Sequence, residues 1–323
     1  MYLGLRLRQK FYTWKKHLKP QARLGGATNP NDEYRGNEKG INHQEGFFDG
    51  IRGAKTYYQC WLPEDKPKAV LFIVHGLAER SGRYMHIVNH FVPLGYAVYG
   101  HDHFGHGKTE GTRVFVEKFE DYTEPLKTYF DMVRAFQPNK PIVLVGHSMG
   151  GLIGARYLLD HQADFVGAVL SWPLIRASNH PSRFFIFLVN ILSVLIPKPG
   201  VKQLEYDIMS TNPEEVECYV LDPLVHPGRV TARLAVEMNR SSIYVQAKAK
   251  QITLPLLILQ GGADATVDPA GTQLLHDTVG SSDKTIKVYE DYYHEVFNEP
   301  ESRRNRVFND IQIWLESHIP LKS

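Results

Sequence analysis

The chain of 323 residues is 43% hydrophobic and 22% charged, an ordinary globular balance that excludes wholesale disorder and collagen-like sequence. Its two cysteines, Cys60 and Cys218, are too few for a disulfide scaffold or a cysteine-rich zinc site, and no apolar run reaches the roughly 18 residues that a membrane-spanning helix needs. The net charge of +2 is uneven: residues 1–25 hold seven basic residues and no acidic one, and the remainder carries 30 basic against 35 acidic residues, which does not suit nucleic acid as a partner.

The chain opens with a basic arm. Leu3, Leu7, Phe11, Trp14 and Leu18 recur at helical spacing, and Pro20 and Gly25-Gly26 end the pattern. Three readings stay open for it: a helix lying on an anionic membrane surface, a targeting segment (although serine is absent), or a solvated extension. Residues 27–46 are polar and rich in Asn, Gly and charge, and read as a linker. The expected organisation is therefore an arm and linker over 1–45 and a globular domain over 46–323.

From there strands and helices alternate. Strand-like stretches fall at 54–62, 69–74, 96–99, 142–145 and 166–170. Helical stretches fall at 84–93, 121–136 and 149–160. The pattern breaks between 173 and 247. It resumes with a strand at 254–259, a helix at 269–279, a strand at 285–289 and a last helix at 302–317. This order predicts an α/β fold, with a mostly parallel central sheet covered by helices on both faces. In such sheets the site lies at the carboxyl ends of the strands.

The strand at 142–145 runs into Gly146-His147-Ser148-Met149-Gly150 and then directly into a helix. This is G-x-S-x-G in the strand–turn–helix setting that exposes a nucleophilic serine above a sheet. A serine hydroxyl needs a neighbouring base. Strand 254–259 leads to Asp264, with Asp268 as a competing acid, and Asp264 is preferred because it comes first after the strand. Strand 285–289 leads to His294, which would take the Ser148 proton while Asp264 holds its tautomer. Acyl transfer also needs two donors for the oxyanion. The N–H of Met149 is one, and Leu77, in the loop after strand 69–74, is the best candidate for the other.

These segments carry a specific likeness: H-G-L-A-E-R-S-G-R-Y (75–84), H-D-H-F-G-H-G-K-T-E-G (101–111), G-H-S-M-G-G (146–151), E-V-E-C-Y-V-L-D-P-L (215–224), L-Q-G-G-A-D (259–264) and Y-Y-H (292–294). The chain resembles the monoacylglycerol lipase and lysophospholipase group of α/β-hydrolases, close to the serine aminopeptidase-like family, over about residues 46–318. The resemblance implies Ser148, Asp264 and His294 as triad and Leu77 and Met149 as oxyanion donors. It also places Glu79, Arg83 and Tyr219 in contact with substrate, the first two near the polar end of the pocket. One position departs. Monoacylglycerol lipases carry a second histidine three residues after the catalytic one, where this chain has Phe297.

The insertion at 173–247 stands where the fold places a lid. Within it residues 184–196 are almost wholly apolar, up to Pro197. Thirteen helical residues cover about 20 Å, too short to cross a bilayer. The stretch reads either as a lid touching both pocket and lipid or as a helix buried in the cap. Two motifs mislead. Gly107-Lys108-Thr109 lacks the leading glycine of a phosphate loop, since Asp102 stands there. His101, His103 and His106 suggest a metal site, but read better as a structural loop.

The expectation is a serine hydrolase that cleaves lipid carboxylic esters, monoacylglycerol or lysophospholipid, through an acyl-serine and without a cofactor. The alternatives are a short-chain carboxylesterase, a thioesterase, an amidase, or a ligand-binding protein without turnover. The expected partners are a small lipid ester and a membrane surface met through lid and arm. The expected location is the cytoplasm, two cysteines being compatible with a reducing interior.

Overall fold

The computed structural model describes residues 40–177, 183–203, 205–226 and 228–319, apart from the side chains of 183–186. The basic arm and most of the expected linker lie outside the described residues. Eight strands form one sheet: β1 (Ile41–Asp49), β2 (Lys55–Pro63), β3 (Ala69–Val74), β4 (Tyr96–His101), β5 (Ile142–His147), β6 (Gly167–Ser171), β9 (Leu256–Gly261) and β10 (Lys284–Tyr289). Their order is β1-β2-β4-β3-β5-β6-β9-β10. The two pairings made by β2, with β1 and with β4, are antiparallel, and the other five are parallel. The central strands β3, β4, β5, β6 and β9 are buried along their whole length, which explains the apolar runs that make up most of each.

Helices cover the sheet: α1 (Met85–Phe91), α2 (Glu120–Phe136), α3 (Met149–His161), α7 (Pro269–Thr278) and α8 (Glu301–His318). Helix α2 turns Tyr122, Leu126, Tyr129, Phe130 and Val133 inward at helical spacing. The apolar side chains of α2 and α3 share one core cluster with those of the sheet. No helix among the described residues is long and apolar enough to cross a membrane.

The sheet begins earlier than the sequence suggests. Residues 41–46, read as linker, belong to β1, which pairs with β2 from Ile41↔Pro63 to Asp49↔Lys55. An edge strand leaves little apolar alternation to detect, and here only Phe48 is buried. Side-chain contacts supply the rest: His43 stacks on Trp61, and Glu45 accepts from Tyr57 Oη and from Lys108 Nζ at 2.9 Å. The strand expected at 254–259 runs from Leu256 to Gly261, because Pro255 has no N–H for the ladder.

The insertion holds α4 (Arg183–Leu195), β7 (Gly200–Gln203), α5 (Pro213–Leu221), β8 (Arg229–Thr231) and α6 (Ala232–Lys248). Strands β7 and β8 form a small antiparallel pair. Thr231 caps α6 by accepting from Leu234 N–H, and α6 packs against α3 and α4. The described side chains of the apolar stretch are mostly exposed. Val189 packs on Ala232 and Val236, but Phe187, Leu188, Ile191, Val194, Leu195 and Ile196 are exposed.

Candidate active site

Strand β5 delivers Ser148 into a sharp turn. Its backbone stands at φ 53°, ψ −117°, a conformation that costs a residue with a Cβ about 1–3 kcal/mol and so must be held by its surroundings. The holding bonds are visible. Ser148 N–H donates to Ser171 O at the end of β6 (2.9 Å), and its carbonyl accepts from Leu174 N–H (3.0 Å) and Leu152 N–H (3.1 Å). Gly150 is required beside it, because a Cβ there would lie 2.0 Å from Val74 O and 2.3 Å from His75 O. A Cβ at Gly146 would lie 2.7 Å from Gly150 O. The glycines of the motif thus let α3 start against the end of β3.

Three groups from three loops converge at this turn. His294 Nε2 lies 2.9 Å from Ser148 Oγ, and His294 Nδ1 lies 2.6 Å from Asp264 Oδ2. The other Asp264 oxygen accepts from Thr266 N–H at 2.5 Å. The Asp264 side chain is fully buried and that of His294 nearly so. Asp268, the rival acid, is engaged elsewhere: it caps α7 by accepting from Ala270 N–H, and it lies 3.4 Å from Arg176 Nε. Burial disfavours a charged imidazole at position 294. The Asp264 carboxylate, its hydrogen bond, and the more distant Glu295 and Glu79 outweigh that, so the His294 pKa is raised above 6.5. Trp172, also at positive φ (45°), packs its ring 6.1 Å from that of His294.

Leu77 lies in the turn after β3, and Met149 opens α3 directly after Ser148. The Leu77 turn is held from two sides. Gly76 N–H donates to Glu79 Oε1 at 2.5 Å, and Ala78, at φ 62°, offers its carbonyl to His226 N–H of the insertion at 3.0 Å. The first N–H groups of a helix have no intrahelical acceptor, so Met149 stands where a donor is available.

Glu79, Arg83 and Tyr219 also come together, in a buried polar cluster. Arg83 donates from Nη1 and Nη2 to the two oxygens of Glu295 (2.7 and 2.9 Å), and from Nη1 to Glu79 (3.2 Å). Its guanidinium lies 4.5 Å from the centre of the Tyr219 ring. Tyr84 Oη donates to Glu79 at 2.9 Å, and Asn298 Nδ2 to Glu295 at 2.9 Å. One guanidinium serves two carboxylates unequally. Burial lifts Glu79 to about 7, with Arg83 opposing and Glu295 adding. Burial also works against an ionised Glu295, but Arg83, through charge and paired hydrogen bonds, brings it down to about 2. A small cleft opens on this cluster, lined by Glu79, Arg83, Tyr84, His147, Glu295, Phe297 and Asn298.

Sequence reasoning did not find Glu295, Tyr84, His147 or Asn298. Glu295 had one available signal, since it directly follows His294. Phe297 fills its position with an aromatic ring, packed 6.1 Å from the His147 ring and 6.4 Å from the Tyr84 ring. The histidine cluster is built into the loop after β4. His103 N–H donates to His75 Nε2 (2.9 Å) and His103 Nε2 to His75 O (3.0 Å), and burial lowers the pKa of His75, His101, His103 and His106.

The sheet order, the strained serine after β5, and the acid and histidine after β9 and β10 define an α/β-hydrolase. The sequence profile of the family described as serine aminopeptidase, S33, matches residues 65–301, and the chain belongs to that family. It is 35% identical to a monoacylglycerol lipase of Mycolicibacterium smegmatis over 85% of this chain and 98% of that one. It is 32% identical to human monoglyceride lipase over 81% and 87% of the two chains. The crystal structure of Paleococcus ferrophilus monoacylglycerol lipase superposes with a TM-score of 0.71 at 28% identity, covering 86% of this chain and 99% of that one.

Proposed function

We propose that the protein hydrolyses carboxylic esters of single-chain lipids, monoacylglycerol or lysophospholipid, through an acyl-serine intermediate. The observation that supports this reading is the continuous Asp264–His294–Ser148 contact at the carboxyl edge of the sheet, with separations of 2.6 and 2.9 Å. Ser148 Oγ attacks the ester carbonyl as its proton passes to His294 Nε2. The N–H groups of Leu77 and Met149 hold the oxyanion. The C–O bond to the alcohol breaks, and His294 returns the proton to that oxygen. Water, losing a proton to His294, then attacks the acyl carbon. Collapse releases the fatty acid and restores the Ser148 hydroxyl. The cycle needs only these groups and water.

Glu79, Arg83 and Tyr219 form the polar end of the proposed pocket, where the head group binds. Phe297 weakens the case for glycerol alone, because an aromatic ring offers no hydrogen bond there. The lipid class rests on the named relatives and on the exposed apolar face of α4, which suits contact with a lipid surface. The basic arm is proposed to assist that contact. Cys60 and Cys218 are both free thiols, which is compatible with the cytoplasm.

The test is a panel of monoacylglycerols, lysophospholipids, short p-nitrophenyl esters, thioesters and aminoacyl amides, with fluorophosphonate labelling of wild type and Ser148→Ala. Labelling and lipid hydrolysis by wild type alone support the reading. Folded wild-type protein that neither labels nor turns over any substrate replaces it with ligand binding without catalysis.

A further inference from the structure

The loop carrying the base and the loop carrying the oxyanion donor are not adjacent in sequence, yet both act on one carbonyl. Something must hold their relative position, because misplacement by about 1 Å costs roughly a hundred-fold in rate. Glu295 directly follows His294, and its carboxylate is buried. It receives the two parallel bonds from Arg83 and a third from Asn298. Arg83 also reaches Glu79, which accepts the N–H of Gly76 immediately before Leu77. The backbone N–H of Glu295 donates to Met209 O of the insertion at 2.7 Å. A chain of contacts therefore runs from the base loop to the oxyanion loop without passing through the substrate.

We propose that Glu295 is a positioning residue: through Arg83 and Glu79 it locks the His294 loop to the Gly76–Leu77 turn, so that general base and oxyanion donor keep one geometry as the reaction proceeds. This deepens the hydrolase reading and rests on it. A forked guanidinium is suited to the task, since two parallel bonds fix direction as well as distance. Two carboxylates on one guanidinium also make the lock sensitive to charge. The ionisable groups facing His294 are Asp264 from the loop after β9, Glu295 beside it, Glu79 from the segment after β3, and His147 at the end of β5, which Arg83 also faces. Those facing Glu295 are Arg83, His147, His294, Tyr84 and Tyr219, with Glu79 across the shared guanidinium.

The experiment compares wild type, Glu295→Gln and Glu295→Asp on one soluble ester across pH, with Tm as a control for folding. Glu295→Gln is expected to lower kcat roughly ten-fold with KM changed by less than about two-fold. It also moves the acid limb of kcat/KM to lower pH, because a carboxylate that raises His294 is gone. Glu295→Asp keeps the charge but not the reach, so its acid limb stays near that of wild type while kcat recovers only in part. A purely structural role would lower Tm and leave the limb in place. Glu295→Gln enzyme with wild-type kcat and an unmoved limb overturns the proposal. If Glu295→Gln does not fold, Arg83→Lys carries the test. It keeps the charge without the parallel bonds, is expected to lower kcat by a similar factor, and with wild-type kcat overturns the proposal equally. Failure of the hydrolase reading looks different: Ser148→Ala would then match wild type.

Discussion

The identity of the acid gives the sharpest test of the site, because Asp264 and Asp268 both follow β9. The perturbation is Asp264→Asn. In the native site Asp264 Oδ1 accepts from Thr266 N–H at 2.5 Å and Oδ2 faces His294 Nδ1 at 2.6 Å. An asparagine must satisfy the same Thr266 N–H with its single oxygen. Its amide nitrogen is then forced to the place of Oδ2, where it presents N–H to Nδ1. His294 can meet a donor there only by carrying its proton on Nε2. That nitrogen then donates to Ser148 Oγ and cannot take its proton. The loss is not of a contact but of the correct tautomer. Its expected size is about 10⁴-fold in kcat, or roughly 5 kcal/mol of transition-state stabilisation. The substitution removes no volume, so folding should persist, as Tm and far-UV circular dichroism will show. The assay is fatty-acid release from a monoacylglycerol, paired with the rate of fluorophosphonate labelling. Asp268→Asn is the control. It keeps a capping oxygen for Ala270 N–H and weakens the contact with Arg176, with a stability cost of about 0.5 kcal/mol or less and kcat retained within a few-fold. An Asp264→Asn enzyme within ten-fold of wild type, or an Asp268→Asn enzyme that loses activity, would refute the assignment.

The pH dependence follows from the raised His294 pKa. Only neutral His294 accepts a proton, so the acid limb of kcat/KM should have its midpoint above 6.5, as a pH–rate profile will show. The sign for stability is opposite. The protonated His294–Asp264 pair stabilises the fold fully below the unfolded histidine pKa, and that contribution is lost as pH rises through the folded value. The exposed face of α4 should matter only at a lipid surface. Val194→Glu with Leu195→Glu is expected to reduce sedimentation with anionic vesicles and turnover of vesicle-borne lipid several-fold, with a soluble ester hydrolysed at the wild-type rate. Unchanged sedimentation refutes the contact.

What the sequence reveals about this protein follows from what each element buries. Strands β3, β5 and β9 are mostly apolar because both faces are covered, so they can be read directly, and the residues after them can be read as site candidates. The serine turn is legible because its geometry admits little but glycine at positions 146 and 150. Strand β1 is hidden for the converse reason: its outward residues Asn42, His43, Gln44 and Glu45 are polar, and its stability comes from pairing with β2. Glu295 is hidden because its partner Arg83 lies 212 positions away in the chain, and no local period marks an ion pair. In the sequence, the preference for Asp264 over Asp268 rests only on order after the strand. The physical distinction is made by Thr266 and His294 on one carboxylate and Ala270 and Arg176 on the other.

The insertion divides into two parts with different attachments. Its 209–226 segment is tied to both functional loops. Met209 O accepts from Glu295 N–H, Ser210 Oγ donates to Asn298 O at 2.7 Å, and Thr211 bonds to Glu299, which also accepts from Tyr293 N–H at 2.8 Å. Asp222 accepts from Arg80 Nε at 2.7 Å, Glu215 pairs with His86 at 2.5 Å, and His226 N–H holds Ala78 O. Moving this part would pull on the His294 loop and on the Leu77 turn together. Helix α4 is attached in another way. Among its described side chains, Val189 and Leu192 pack on α6, in a small cluster separate from the main core. The 209–226 segment is held by several directional bonds, buried or partly buried. Among the described residues, the 209–226 segment is therefore the part of the insertion that joins the loop of His294 to the turn of Leu77.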